Sequence, residues 1–173
     1  MILISACLAG FNVRYDGGNA RRELAVKLVA LGQAITVCPE IMGGFQTPRR
    51  PAEICGGDGK DVLTGRATVI NQAGVDVTAR YLAAARQVLQ IAQDHGVTVA
   101  FLKQKSPACG THLVYDGHFS GNKVPGMGVT AALLARNGIE VYGDEELTMA
   151  NLTPYLAPET IKQLGTNNLA IGD

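Results

Sequence analysis

Three cysteines stand in the same local setting. Cys7 follows the apolar run 2–6, Cys38 follows the run 34–37, and Cys109 comes shortly after the run 97–102. Thiolates bind soft metals and attack electrophiles, so three of them at one place would form a ligand set or a nucleophilic site. The richest stretch is 102–110, Leu-Lys-Gln-Lys-Ser-Pro-Ala-Cys-Gly. It turns at Pro107 and carries Lys103, Lys105 and Ser106 just ahead of Cys109, and cationic neighbours lower a thiol's pKa. Packing is the plain alternative for any one strand-end cysteine. No Cys-x-x-Cys pair occurs, which removes zinc-ribbon and thioredoxin readings. Zinc would want nitrogen or oxygen ligands too, and His112 is better placed for that than His95 or His118. An all-thiolate site suits an iron–sulfur cluster. Three ligands, where a cubane normally takes four, would leave one iron open for catalysis.

Polar residues beside these cysteines extend the list of candidates. Glu40 is separated from Cys38 only by Pro39 and could act as a base. Asp16 and Asp116 are further acid–base candidates, although both sit in Asp-Gly turns, which account for them equally well. Arg49 and Arg50 could grip an anion or a planar ring. Gly43 and Gly44 would let a ligand approach the backbone closely. The helix mouth at 126–130 could hold an anion, a weak signal by itself.

The elements needed to position these residues are legible as alternating strands and helices. Strands are expected at 1–6, 34–37, 97–102 and 139–142, with a short extended piece at 67–71. Helices are expected at 21–31, at 76–95 with Leu82, Ala85, Leu89 and Ala92 as its apolar stripe, and at 127–137. Residues 41–61, rich in Gly and Pro, read as a long functional loop. This alternation predicts a single α/β domain over 1–143. It would be Rossmann-like, with a mostly parallel sheet, flanking helices and a ligand site outside the carboxyl ends of the strands. Residues 144–173 read as an extension packed on the same domain, in short helices and without chemistry. Tyr15-Asp16-Gly17 and Tyr115-Asp116-Gly117 form a faint internal echo.

Bulk properties narrow the function classes. Of 173 residues, 47% are apolar and 17% charged, enough for one sizeable core. Zero net charge speaks against intact tRNA or an anionic membrane as partner, and the lack of Trp speaks against a stacking platform for single strands. No apolar run reaches the roughly 18 residues of a membrane span. The first residues lack signal-peptide character, so a cytoplasmic location is expected. In such a reducing compartment four cysteines read as ligands, nucleophiles or packing rather than disulfides.

The motifs taken together resemble the thiouracil desulfidase (TudS) family. They are Ser5-Ala-Cys-Leu-Ala-Gly10, Arg14-Tyr-Asp-Gly17, Cys38-Pro-Glu-x-x-Gly-Gly44, Pro48-Arg-x-Pro-Ala-Glu53 and Asp76-Val-Thr78. Leu102-Lys-x-x-Ser-Pro-x-Cys-Gly110, Tyr115-Asp-Gly117 and Gly128-Val-Thr-Ala-Ala132 follow in order. The resemblance runs from about residue 2 to 142. It implies a 4Fe-4S cluster held by Cys7, Cys38 and Cys109, with one open iron. It further implies non-redox desulfuration of a thiolated pyrimidine, as base, nucleoside or nucleotide, with thiolated tRNA not excluded; in that chemistry Ser106 could donate to the ring and Lys103 could neutralise developing charge. Two departures stand out. Relatives commonly carry a cysteine where this chain has Val13, and Cys55 is extra to the motifs. Two other classes stay open: a cluster-free thiol redox or sulfur-transfer enzyme using Cys109, and a small-ligand or redox-sensing cluster module.

Overall fold

The computed structural model describes residues 1–166. Its centre is a four-stranded parallel sheet made of β1 (Ile2–Ser5), β2 (Ala34–Val37), β5 (Val99–Leu102) and β8 (Glu140–Gly143), in the order β2-β1-β5-β8. The inner strands β1 and β5 are buried along their whole length, as expected of near-continuous apolar runs in a parallel sheet. Side chains alternate between two cores. Leu3, Ala100 and Leu102 face α4 (Thr78–Asp94) and α5 (Val129–Arg136). Ile2, Ile4, Val99 and Phe101 face α1 (Glu23–Ala30) and the C-terminal segment. That segment contains α6 (Met149–Leu152) and α7 (Pro158–Thr166), and its Leu152, Leu156 and Leu164 complete the second core. Residues 167–173 of the expected extension lie outside the described residues.

Two antiparallel ribbons stand outside this sheet. β3 (Ala52–Cys55) pairs with β4 (Thr68–Asn71), and β6 (Leu113–Tyr115) pairs with β7 (Lys123–Pro125). Residues 41–61 are therefore not one long loop. They hold the end of α2 (Pro39–Met42), then β3, then the start of α3 (Gly59–Leu63). Pro39 at the first helical position favours α2, whose four residues are too few for a periodic signal. The Asp58 and Asp61 side chains cap α3 reciprocally. In α4 the buried line runs through Tyr81, Ala85, Val88 and Ala92, while Leu82 and Leu89 pack only at its margin. The helix is thus rotated so that Tyr81 points to the rim of the sheet.

Candidate active site

Three adjacent strands deliver the cysteines to one rim. Cys38 directly follows β2, and Cys7 lies in a single 3-10 turn, Ala6–Ala9, directly after β1. Cys109 returns to the rim on the loop after β5. Two devices hold it there. The Ser106 hydroxyl oxygen accepts the N–H groups of Ala108 at 3.1 Å and Cys109 at 3.2 Å. Gly128, at the mouth of α5, lies so close that any side chain would overlap the Ala108 carbonyl. All three cysteines line a cavity of about 490 Å³.

Burial governs the thiols. It pushes Cys7 up to about 11, with Cys38 adding to the rise and Lys103 opposing it. Burial also raises Cys38, against the backbone N–H of Ile41. Cys109 is raised well above the usual thiol range by burial, with a Ser5 hydroxyl bond opposing and the other two cysteines adding. The expectation that Lys103 and Lys105 would draw Cys109 towards the thiolate therefore fails: desolvation outweighs them. Thiols close enough to raise one another form a donor set that resists carrying negative charge alone and accepts it with a bound cationic centre. Among the described residues no group of three His, Cys, Asp or Glu is arranged to hold a single metal ion. A cluster spreads its thiolates over several iron atoms, and three cysteines lining one cavity are the donor type it takes.

Carboxylates and cations surround the cysteines. Glu40 accepts the Tyr81 hydroxyl on Oε1 at 2.6 Å and pairs with Arg49 through Oε2. Burial and the Glu40 charge hold the Tyr81 phenol well above its ordinary value, so it stays a donor. On the opposite flank, Lys103 Nζ meets the two oxygens of Asp144 at 3.0 and 3.1 Å. Glu53, on β3, is buried and accepts the Gly117 and Phe119 N–H groups on Oε2, at 2.9 and 3.0 Å. Tyr15, Tyr115 and Phe119 add aromatic wall.

The expected site residues divide cleanly. Glu40, Ser106 and Lys103 line the cavity with Cys7, Cys38 and Cys109. Asp16 does not: it binds its own Gly18 N–H at 3.0 Å and pairs with Arg14 at 3.1 Å on an exposed turn. Asp116 likewise bonds within its own turn. Arg49 spends its guanidinium on Glu40 and on the Val13 carbonyl rather than facing the cavity. Gly43 and Gly44 turn the chain after α2, and the Gly43 carbonyl accepts from Arg80, so neither lines the cavity. Cys55 bonds the Gly117 carbonyl at 3.3 Å, also outside the cavity lining.

The model of the 2-thiouracil desulfurase family matches residues 2–146. The chain belongs to that family. It is 47% identical over 147 residues to the uncharacterized protein YbbK of Bacillus subtilis (strain 168), covering 85% of this chain and 97% of that protein. It also resembles the solved structure of the [4Fe-4S]-dependent thiouracil desulfidase TudS. There the identity is 38% and the TM-score 0.78, over 90% of this chain and 98% of that one.

In this 2-thiouracil desulfurase family member, sequence reasoning overlooked Asp144 and Glu53. Asp144 directly follows the last strand of the sheet, so the strand-end rule that selects the cysteines would have selected it as well. Glu53 closes the Pro48-Arg-x-Pro-Ala-Glu53 motif, but nothing local in the sequence shows that its carboxylate takes the Gly117 and Phe119 N–H groups. No helix of the described residues is long and apolar enough to cross a membrane.

Proposed function

We propose that this protein removes sulfur from a thiolated pyrimidine of the thiouracil type, as base, nucleoside or nucleotide, giving the oxo form and hydrogen sulfide. The observation that carries the reading is the convergence of Cys7, Cys38 and Cys109 on one cavity from three adjacent parallel strands. Its support from likeness is a TudS structure that is [4Fe-4S]-dependent. These three cysteines would hold a 4Fe-4S cluster and leave one iron without a protein ligand. When bound, the cluster supplies a Lewis acid for the exocyclic sulfur of the substrate. Water replaces that sulfur at the ring carbon, C=S + H₂O giving C=O + H₂S, with no net redox change.

The chain's own residues supply the remainder. Glu40 takes the proton of the attacking water at a carboxylate oxygen, whose second lone pair is outside its bonds to Tyr81 and Arg49. Ser106 accepts two amides and keeps its own O–H to donate to the ring. Lys103 stabilises negative charge that develops as the carbon–sulfur bond weakens. The aromatic side chains suit a flat ring. A cluster-free enzyme using Cys109 as nucleophile fits less well, because burial makes its thiolate scarce.

The test is anaerobic purification, then sulfide release over thiolated bases, nucleosides and nucleotides. A brown protein absorbing near about 400 nm that releases sulfide from one of these supports the reading. A protein that takes up no iron on reconstitution removes the cluster, and an iron-loaded protein that releases no sulfide from any of them removes the reaction.

A further inference from the structure

We propose that Asp144 is a positioning residue of this cavity. It holds the Lys103 ammonium in the cavity wall and, through Gln104, the loop that carries Ser106 and Cys109; its catalytic part rests on the desulfuration reading above. The Asp144 side chain is only 3% exposed. Its carboxylate takes Lys103 Nζ, the Arg22 guanidinium at 2.9 Å and the Gln104 backbone N–H at 2.8 Å. A carboxylate this deeply buried is tolerated because charged and neutral donors replace its water.

Gln104 passes the constraint along the loop. Its Oε1 accepts the N–H groups of Thr111, His112 and Leu113, at 3.1, 3.3 and 3.4 Å, while Nε2 donates to the Thr111 hydroxyl at 2.8 Å. Gly143 leaves room for this: a Cβ there would lie 2.6 Å from Gln104 Nε2. The Ser5 hydroxyl accepts the Lys103 backbone N–H at 3.0 Å, which ties the start of the loop to the end of β1, two residues before Cys7. The segment 103–113 is therefore fastened from β1 and from the end of β8.

The ammonium has three N–H donors, and Asp144 takes two. The third remains for the cavity that Lys103 lines. One carboxylate faces two cations, Lys103 and Arg22, so the group keeps a net positive charge. Lysine is a flexible stem with a strongly hydrated head. Without Asp144 it would turn to solvent, and charge that develops in the transition state would lose a preorganised partner.

Four variants test this: Asp144→Asn, Asp144→Ala, Lys103→Met and the Asp144→Asn/Lys103→Met double. Iron per chain, sulfide release per iron and hydrogen exchange across 104–113 are measured for each. We expect Asp144→Asn to keep its iron and lose about 10-fold or more in kcat, with KM moving less than about 3-fold, because the lost contact acts in the transition state. The double variant should be no worse than Lys103→Met within about 3-fold, the non-additivity of two residues acting as one. Asp144→Ala should speed exchange across 104–113, and Lys103→Met should not. Effects that multiply in the double variant, unchanged turnover in Asp144→Asn, or unchanged exchange in Asp144→Ala would each overturn the proposal. If the Asp144 variants do not fold, Lys103→Met decides, and unchanged turnover per iron refutes it. If the iron-loaded parent protein releases no sulfide, the desulfuration reading falls and takes the catalytic part of this proposal with it, while the exchange measurement decides whether Asp144 holds the loop.

Discussion

Glu40→Gln is the most informative single change, because it separates the ion pair that Glu40 makes with Arg49 from the base that we propose it to be. Its partner Arg49 has a side chain only 7% exposed, and Glu40 itself is 16% exposed. Removing the carboxylate charge strands a buried guanidinium, and breaking a buried pair in this way costs roughly 3–5 kcal/mol. Glu40 lines the cavity and keeps some exposure, so the lower end, about 3 kcal/mol, applies. For a chain of this size each kcal/mol moves the melting temperature by about 2–4 °C, so a fall of about 6–12 °C is expected. Adding Arg49→Met should recover part of it, since the stranded cation is then gone. If Glu40 is also the base, sulfide release per iron should drop about 10²–10⁴-fold, and Arg49→Met should not restore it. The assays are anaerobic thermal unfolding and iron-normalised turnover. A melting temperature within about 2 °C of the parent would refute the buried-pair reasoning. Unchanged turnover per iron would move the base to Glu53.

Further changes test the frame around the site. Cys7→Ser, Cys38→Ser and Cys109→Ser should each lose bound iron on anaerobic reconstitution, whereas Cys55→Ser should keep it. Gly128→Ala should push the backbone at Ala108 and Cys109 away from α5, with iron per chain falling before the fold is lost. Ser106→Ala strands the Ala108 and Cys109 amides, so a stability loss of about 1–2 kcal/mol by denaturant unfolding should accompany lower turnover per iron.

The legible parts of the site are those written in local order. A buried parallel strand is a short apolar run, and Cys7 and Cys38 sit directly past one, so strand ends place those two on one rim, whereas Cys109 comes back to it only through the Ser106 and Gly128 contacts. The extended piece expected at 67–71 is β4, but its partner β3 is hidden because the pairing is non-local: Ala52 faces Asn71, and Glu53 interrupts the apolar run. Arg49 read as a free cation because nothing in the sequence reveals that Glu40, nine positions earlier, folds back onto it. The Cys109 thiol was misjudged for a related reason. Sequence displays the neighbouring lysines, while desolvation, which dominates, exists only once α4 and α5 close over the loop. Asp144 was passed over because a single carboxylate after a strand has no motif of its own.

The order of the sheet has a consequence for biosynthesis. Its strands, β2-β1-β5-β8, are gathered from positions 2 to 143, and the thiols come from positions 7, 38 and 109. At about 5–20 residues per second, a ribosome that has made Cys38 needs roughly 4–14 s more to make Cys109. Throughout that interval the nascent chain offers two thiols without the third. For most of it the chain also lacks β5, which pairs beside β1 and leads into the third. Insertion of the proposed cluster would therefore be a late event, one that follows the docking of β5 and, with Asp144, of β8.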